Sequence, residues 1–211
     1  MKHHLFILGF VTLAALGILS TLTSLKFKNH ELPWKIIALY VGGSFLAQGV
    51  SMLFWTFEMN NLTVLHVYSL FQFIAFSAFF WTTTQRRAKR QSILIITVVI
   101  SILLIINSIW NESLRDFNSL GVFVSNGTIV VYSVLYFFEV LGSDSYTKNH
   151  LIVNAGILLF MCESLVVFLF GNYLKEVKFI DQIGLWLTHA ITYFLFLILI
   201  YWNHVKLART R

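Results

Sequence analysis

Seven apolar runs, separated by short polar breaks, occupy most of the 211 residues. They cover roughly 5–25, 34–57, 62–84, 91–110, 119–141, 149–171 and 182–203. A helix of about 20 residues rises about 30 Å, enough to cross the hydrocarbon core of a bilayer. The pattern predicts an all-α membrane protein, a single domain formed by a compact bundle of seven transmembrane helices. The breaks at 26–33, 58–61, 85–90, 111–118, 142–148 and 172–181 are short. Short connections make successive helices antiparallel neighbours.

Composition agrees. Hydrophobic residues make up 58% and charged residues 11% of the chain, and mean hydropathy is +0.79. A soluble domain carries about 25% charged residues, so a soluble globular fold is excluded. Seven spans use about 140 residues, which leaves no room here for a soluble catalytic or nucleic-acid-binding domain. Cys162 is the only cysteine, so no intramolecular disulfide forms.

The net charge of +6 would suggest nucleic acid in a soluble protein. In this chain it sets orientation, and no nucleic-acid partner is expected. Eleven of the fifteen lysines and arginines fall on one side of the predicted bundle, with Arg86-Arg87-Ala88-Lys89-Arg90 the densest group. The positive-inside rule then places the N-terminus outside and the C-terminus in the cytoplasm of a plasma (inner) membrane. Trp34, Trp55, Trp81, Trp110, Trp186 and Trp202 all stand at predicted span ends, the positions of an interfacial aromatic belt. The first run is expected to be a retained span rather than a cleaved signal peptide. It exceeds the usual h-region, and a signal peptide's inside start would put Arg86–Arg90 outside.

The runs hold no proline. Pro33 stands just before the second, where its missing N–H costs nothing. The span interiors hold no lysine or arginine, which excludes a retinal Schiff base and an arginine voltage sensor.

Polar residues inside the spans are the candidate chemistry. On the second run Tyr40, Ser44, Ala47, Gln48, Ser51, Trp55 and Glu58 share one helical face. Such a face either packs closely on a neighbouring helix, with Gln48 bonded across, or lines a cavity opening outward at Glu58. The third run carries His66, Ser69, Gln72 and Ser77. The sixth carries Glu163 near its centre, with Gly156 and Cys162 expected on the same inward side. A carboxylate at that depth requires protonation or a partner. Glu139 on the fifth falls near the cytoplasmic end, within reach of water. The seventh carries His189, Thr192 and Tyr193. His66 and His189 stand at matched depth and are expected to meet each other or Glu163. His66, His189, Glu163, Gln48, Gln72, Ser69, Tyr193 and Glu58 are therefore the candidate ligand-binding residues.

No catalytic motif accompanies them. The chain has no HxxxH, HExxH, GxSxG, P-loop or GxGxxG. No cofactor and no metal are expected. The sequons at Asn61, Asn111 and Asn126 read as chance matches, with Asn126 inside a span.

Asn60-Asn61-Leu62 leading into His66-Val67-Tyr68, the basic break after it, and Trp186-Leu187-Thr188-His189 together carry a resemblance. From about residue 60 onward the chain resembles a group of uncharacterised bacterial seven-helix membrane proteins. The resemblance implies a seven-helix fold and no known activity. In that group an acid often stands where this chain has Gln72, so an acid–base role there is lost. Helices one to three and five to seven also read as parallel repeats about a linker helix, with His66 and His189 equivalent.

The leading expectation is a sensor or receptor-like subunit with an outward-facing polar pocket for a small molecule. Its signal would pass to a separate cytoplasmic or membrane partner, with Arg86–Arg90 and Lys206–Arg211 as contact surfaces. The alternatives are a small secondary transporter using a midplane Glu/His site, and an intramembrane metal-dependent lipid enzyme.

Overall fold

A computed structural model describes residues 2–24, 31–110, 114, 118–142, 149–169 and 179–209. Lys26, Lys28, Asn111, Arg115, Lys148, Lys175, Lys178 and Arg211 lie outside the described residues, as do the side chains of Lys2, Trp186, Lys206 and Arg209.

Among the described residues seven helices follow one another: α1 (Lys2–Ser24), α2 (Leu32–Thr56), α3 (Leu62–Thr83), α4 (Arg87–Trp110), α5 (Ser119–Leu141), α6 (Asn149–Leu169) and α7 (Phe179–Arg209). No strand occurs among the described residues. Six of the helices are long and apolar enough to cross a membrane, as in a multi-pass membrane protein. An apolar helix satisfies its own backbone hydrogen bonds, which is what the bilayer interior demands. Hydroxyls on these helices are satisfied the same way: Thr23, Thr83, Thr97, Thr128 and Thr192 each donate to the carbonyl four residues earlier.

Helix ends follow local chemistry. α2 begins with Glu31 extended and Pro33 in the first turn. It ends with Glu58 in the left-handed region, φ 56°. There the Met59 N–H donates to Phe54 O at 2.8 Å and the Glu58 N–H to Trp55 O at 3.1 Å. This double hydrogen bond is a Schellman cap with glutamate where glycine is usual.

The link between α3 and α4 is shorter than the sequence suggests. Only residues 84–86 separate the two helices, and Arg87, Lys89 and Arg90 lie in the first turn of α4. Lysine and arginine are good helix formers, and two of these long side chains find partners. Arg90 lies 4.3 Å over the Trp81 ring. Lys89 Nζ meets Glu139 Oε2 at 3.0 Å, and the Gln85 N–H donates to Glu139 Oε1 at 3.3 Å. Glu139 therefore does not reach water as expected; its side chain is 5% exposed. Trp34 also departs from the interfacial pattern. It is buried, 5.8 Å from the His150 ring.

Side-chain contacts show the alternating direction of α2 to α7. Lys89 with Glu139 and Glu31 with His150 meet at one end, while Asn118 with Ser69 and Phe168 with His189 meet toward the other. The main packing contacts trace a closed ring, α1–α2–α3–α5–α6–α7 and back to α1. α4 stands outside that ring, packed on α3 and α5. Its apolar residues, from Leu94 to Trp110, are largely exposed.

Inside the ring, aromatic rings fill one half. Tyr40, Phe73, Phe76, Phe79, Phe80 and Phe196 are all buried. Tyr40 and Phe76 have centroids 4.4 Å apart, and Phe160 stacks on Phe196 at 5.6 Å with an 8° interplanar angle. Gly156 lets α6 approach α7 closely: a Cβ there would lie 2.8 Å from Phe196.

Candidate functional site

The other half of the ring holds a cavity of about 450 Å³. Residues of α1, α2, α3, α6 and α7 line it, with Val122 of α5. No described residue of α4 does so.

One wall is polar. Ser44, Gln48 and Ser51 present the stripe read from the α2 sequence, and Tyr68, Ser69 and Gln72 add a second row from α3. The Asn61 amide donates to Ser51 Oγ at 3.0 Å beside the turn between these helices. At the floor the hydroxyls of Tyr40 and Tyr68 meet at 3.1 Å. Ser44 Oγ lies 3.0 Å from the Tyr68 hydroxyl, and Gln72 Nε2 donates to the Tyr40 hydroxyl at 3.2 Å.

The facing wall is aromatic. Phe160 and Phe168 of α6 and His189 and Tyr193 of α7 line it. Phe160 and His189 have centroids 5.4 Å apart, and Phe168 meets His189 edge-on at 5.5 Å. Behind this wall Glu163 Oε2 lies 2.8 Å from His189 Nδ1. The side chains are 14% and 20% exposed, respectively. Beside this pair the Asn126 amide donates to Ser164 Oγ at 2.9 Å.

Five of the eight residues singled out from sequence line this one cavity: Gln48, Ser69, Gln72, His189 and Tyr193. Glu163 joins them through His189. His66 and Glu58 do not. His66 points toward α4, its Nδ1 3.0 Å from Ser108 Oγ; of the two histidines it is His189 that makes the expected contact with Glu163. Glu58 is exposed in the turn after α2. Cys162 is exposed too, one residue of helical rotation away from Glu163.

Sequence reading missed Tyr68, which shares the α3 face of Gln72 four residues on. It also missed the stacking wall of Phe160 and Phe168, which looks like any other apolar stretch in a span. Asn126, noted only as a sequon, holds α5 to α6.

Among the described residues no group of three or more His, Cys, Asp or Glu is placed to hold a metal. Glu163 and His189 supply two ligands at most, and His66 faces elsewhere. A zinc site needs three or four.

The arrangement is that of a multi-helix membrane protein with a cavity, polar on one side and aromatic on the other, set in its helix ring. Comparison with protein-family profiles, with curated proteins and with solved structures finds no match to this chain.

Proposed function

We propose that this protein is a sensor or receptor-like subunit of a plasma (inner) membrane, with seven spans, its N-terminus outside and its C-terminus cytoplasmic. The cavity takes a small-molecule ligand, and a separate membrane or cytoplasmic protein carries the output. One observation carries this reading. The cavity is lined by residues of α1, α2, α3, α6 and α7, and its Tyr68 and Gln72 bond to Tyr40, which packs in the buried aromatic core on Phe76 and Phe196. A ligand seated there touches helices from both ends of the chain, so its binding can shift how they pack, which suits detection. The topology rests on the basic residues. Lys35, Arg86, Arg87, Lys89 and Arg90 gather at the bundle end opposite the turn beside the cavity.

A transporter is the second reading, favoured by the Glu163–His189 pair at the cavity wall, since such pairs serve proton coupling. Native mass spectrometry from a native-lipid environment tests the two. The sensor reading expects a co-purifying protein at fixed stoichiometry. A lone protein that catalyses uptake into proteoliposomes, with uptake abolished by Glu163→Gln, overturns it in favour of the transporter.

A further inference from the structure

The two walls of the cavity each turn a polar group with spare hydrogen-bonding capacity toward the shared space. Among the described residues the Gln48 amide, on the α2 side, has no hydrogen-bond partner. On the α7 side the Tyr193 hydroxyl lies near those of Tyr40, Tyr68 and Ser44 but completes hydrogen-bond geometry with none. Tyr193 is 9% exposed. Buried polar groups are almost always paired, so the buried Tyr193 hydroxyl, facing the same space as the half-buried Gln48 amide, points to an occupant.

Charge narrows what that occupant is. No lysine or arginine lines the cavity. Among the described residues the carboxylate beside it, Glu163, stands outside the lining and meets His189 through Oε2 at 2.8 Å. An anion would enter without a counter-charge, and a cation would find no carboxylate in the lining. A neutral molecule meets neither cost.

Shape narrows it further. Phe160 and Phe168 offer an apolar wall, while Gln48, Gln72 and the serine hydroxyls face it. A glutamine amide presents a donor and an acceptor side by side, and tyrosine and serine hydroxyls do both. The matching ligand has an apolar face for the phenyl rings and a rim of donors and acceptors.

We propose that the cavity binds a neutral polar ring, held between Phe160 and Phe168 on one side and Gln48, Gln72 and Tyr193 at its rim. A pyranose sugar and an uncharged nucleobase share this chemistry. The inference rests on the cavity being a ligand site.

The test is thermal unfolding of the full chain in nanodiscs, with each probe at about 10 mM. The neutral probes are glucose and uracil; the charged ones are glucose 6-phosphate, uridine monophosphate and glucosamine. At least one neutral probe is expected to raise Tm by about 2 °C or more, and its phosphorylated counterpart to leave Tm unchanged. Which neutral probe acts separates sugar from base. Gln48→Leu and Tyr193→Phe are each expected to at least halve that shift while leaving the ligand-free Tm nearly unaltered. Stabilisation by charged probes alone overturns the neutral-ring assignment and leaves the ligand site standing. No shift with any probe overturns both.

Discussion

His189 and Glu163 join the last two helices through a 2.8 Å contact between Nδ1 and Oε2. It ties together the two helices whose aromatic side chains form one wall of the cavity. Both side chains are mostly buried, so losing His189 leaves Glu163 Oε2 without its donor. Removing one partner of such a pair costs about 3 kcal/mol. We expect Glu163→Ala and His189→Ala each to lower stability by that order, and the double variant to lose less than their sum. A double-mutant cycle in detergent checks this. A coupling energy near zero would refute the pairing.

At the opposite end, Glu139 accepts from the Gln85 backbone and from Lys89. Glu139→Ala removes the acceptor that both donors share and is expected to cost about 1–3 kcal/mol. Glu139→Gln retains an acceptor for the Gln85 N–H and should cost less. Thermal melts of the two variants decide it; equal losses would count against the loop contact.

Glu58 takes a positive φ that a side chain resists. Glycine there removes a strain of about 1 kcal/mol. Glu58→Gly is therefore expected to raise Tm by a few degrees. Because Glu58 lies off the cavity, the variant should bind any cavity ligand as the parent does. Lost binding would return Glu58 to the site.

Two glycines should respond to alanine in opposite directions. At Gly156 a Cβ would stand 2.8 Å from Phe196, which is fully buried and cannot yield. Gly156→Ala is expected to cost about 1–3 kcal/mol. At Gly127 a Cβ meets nothing within 4 Å. Gly127→Ala should stabilise α5 by about 0.5–1 kcal/mol. Unfolding curves for the two variants test the helix register directly; shifts of the same sign would place one of these helices wrongly.

The helices were legible because the bilayer imposes one length and one polarity on each span. The α2 stripe was legible for a similar reason: residues three and four apart share a face wherever the helix is placed. That argument reaches Ser44, Gln48 and Ser51, and it carries Ser69 and Gln72 on α3. It stops at the rotation of a helix about its own axis, which its neighbours set. His66 lies three residues before Ser69, yet it turns to Ser108 because α4 packs on that side. Glu139 was misjudged for a related reason. Its partners Gln85 and Lys89 lie about 50 residues away in sequence, and only folding brings them to it. The contact between α3 and α5 is equally silent in sequence, since α4 intervenes along the chain.

The outlying position of α4 has a consequence for parity. The ring divides into α1–α3 and α5–α7, two runs of three helices entering from the same face. An odd number of crossings leaves the chain on the wrong face to begin the second run in that sense. α4 makes the crossing that restores it, while contributing no described residue to the cavity. Excising it and joining α3 to α5 would reverse α5, α6 and α7 relative to α2, moving Phe168 from the end it shares with Ser51 to the opposite end.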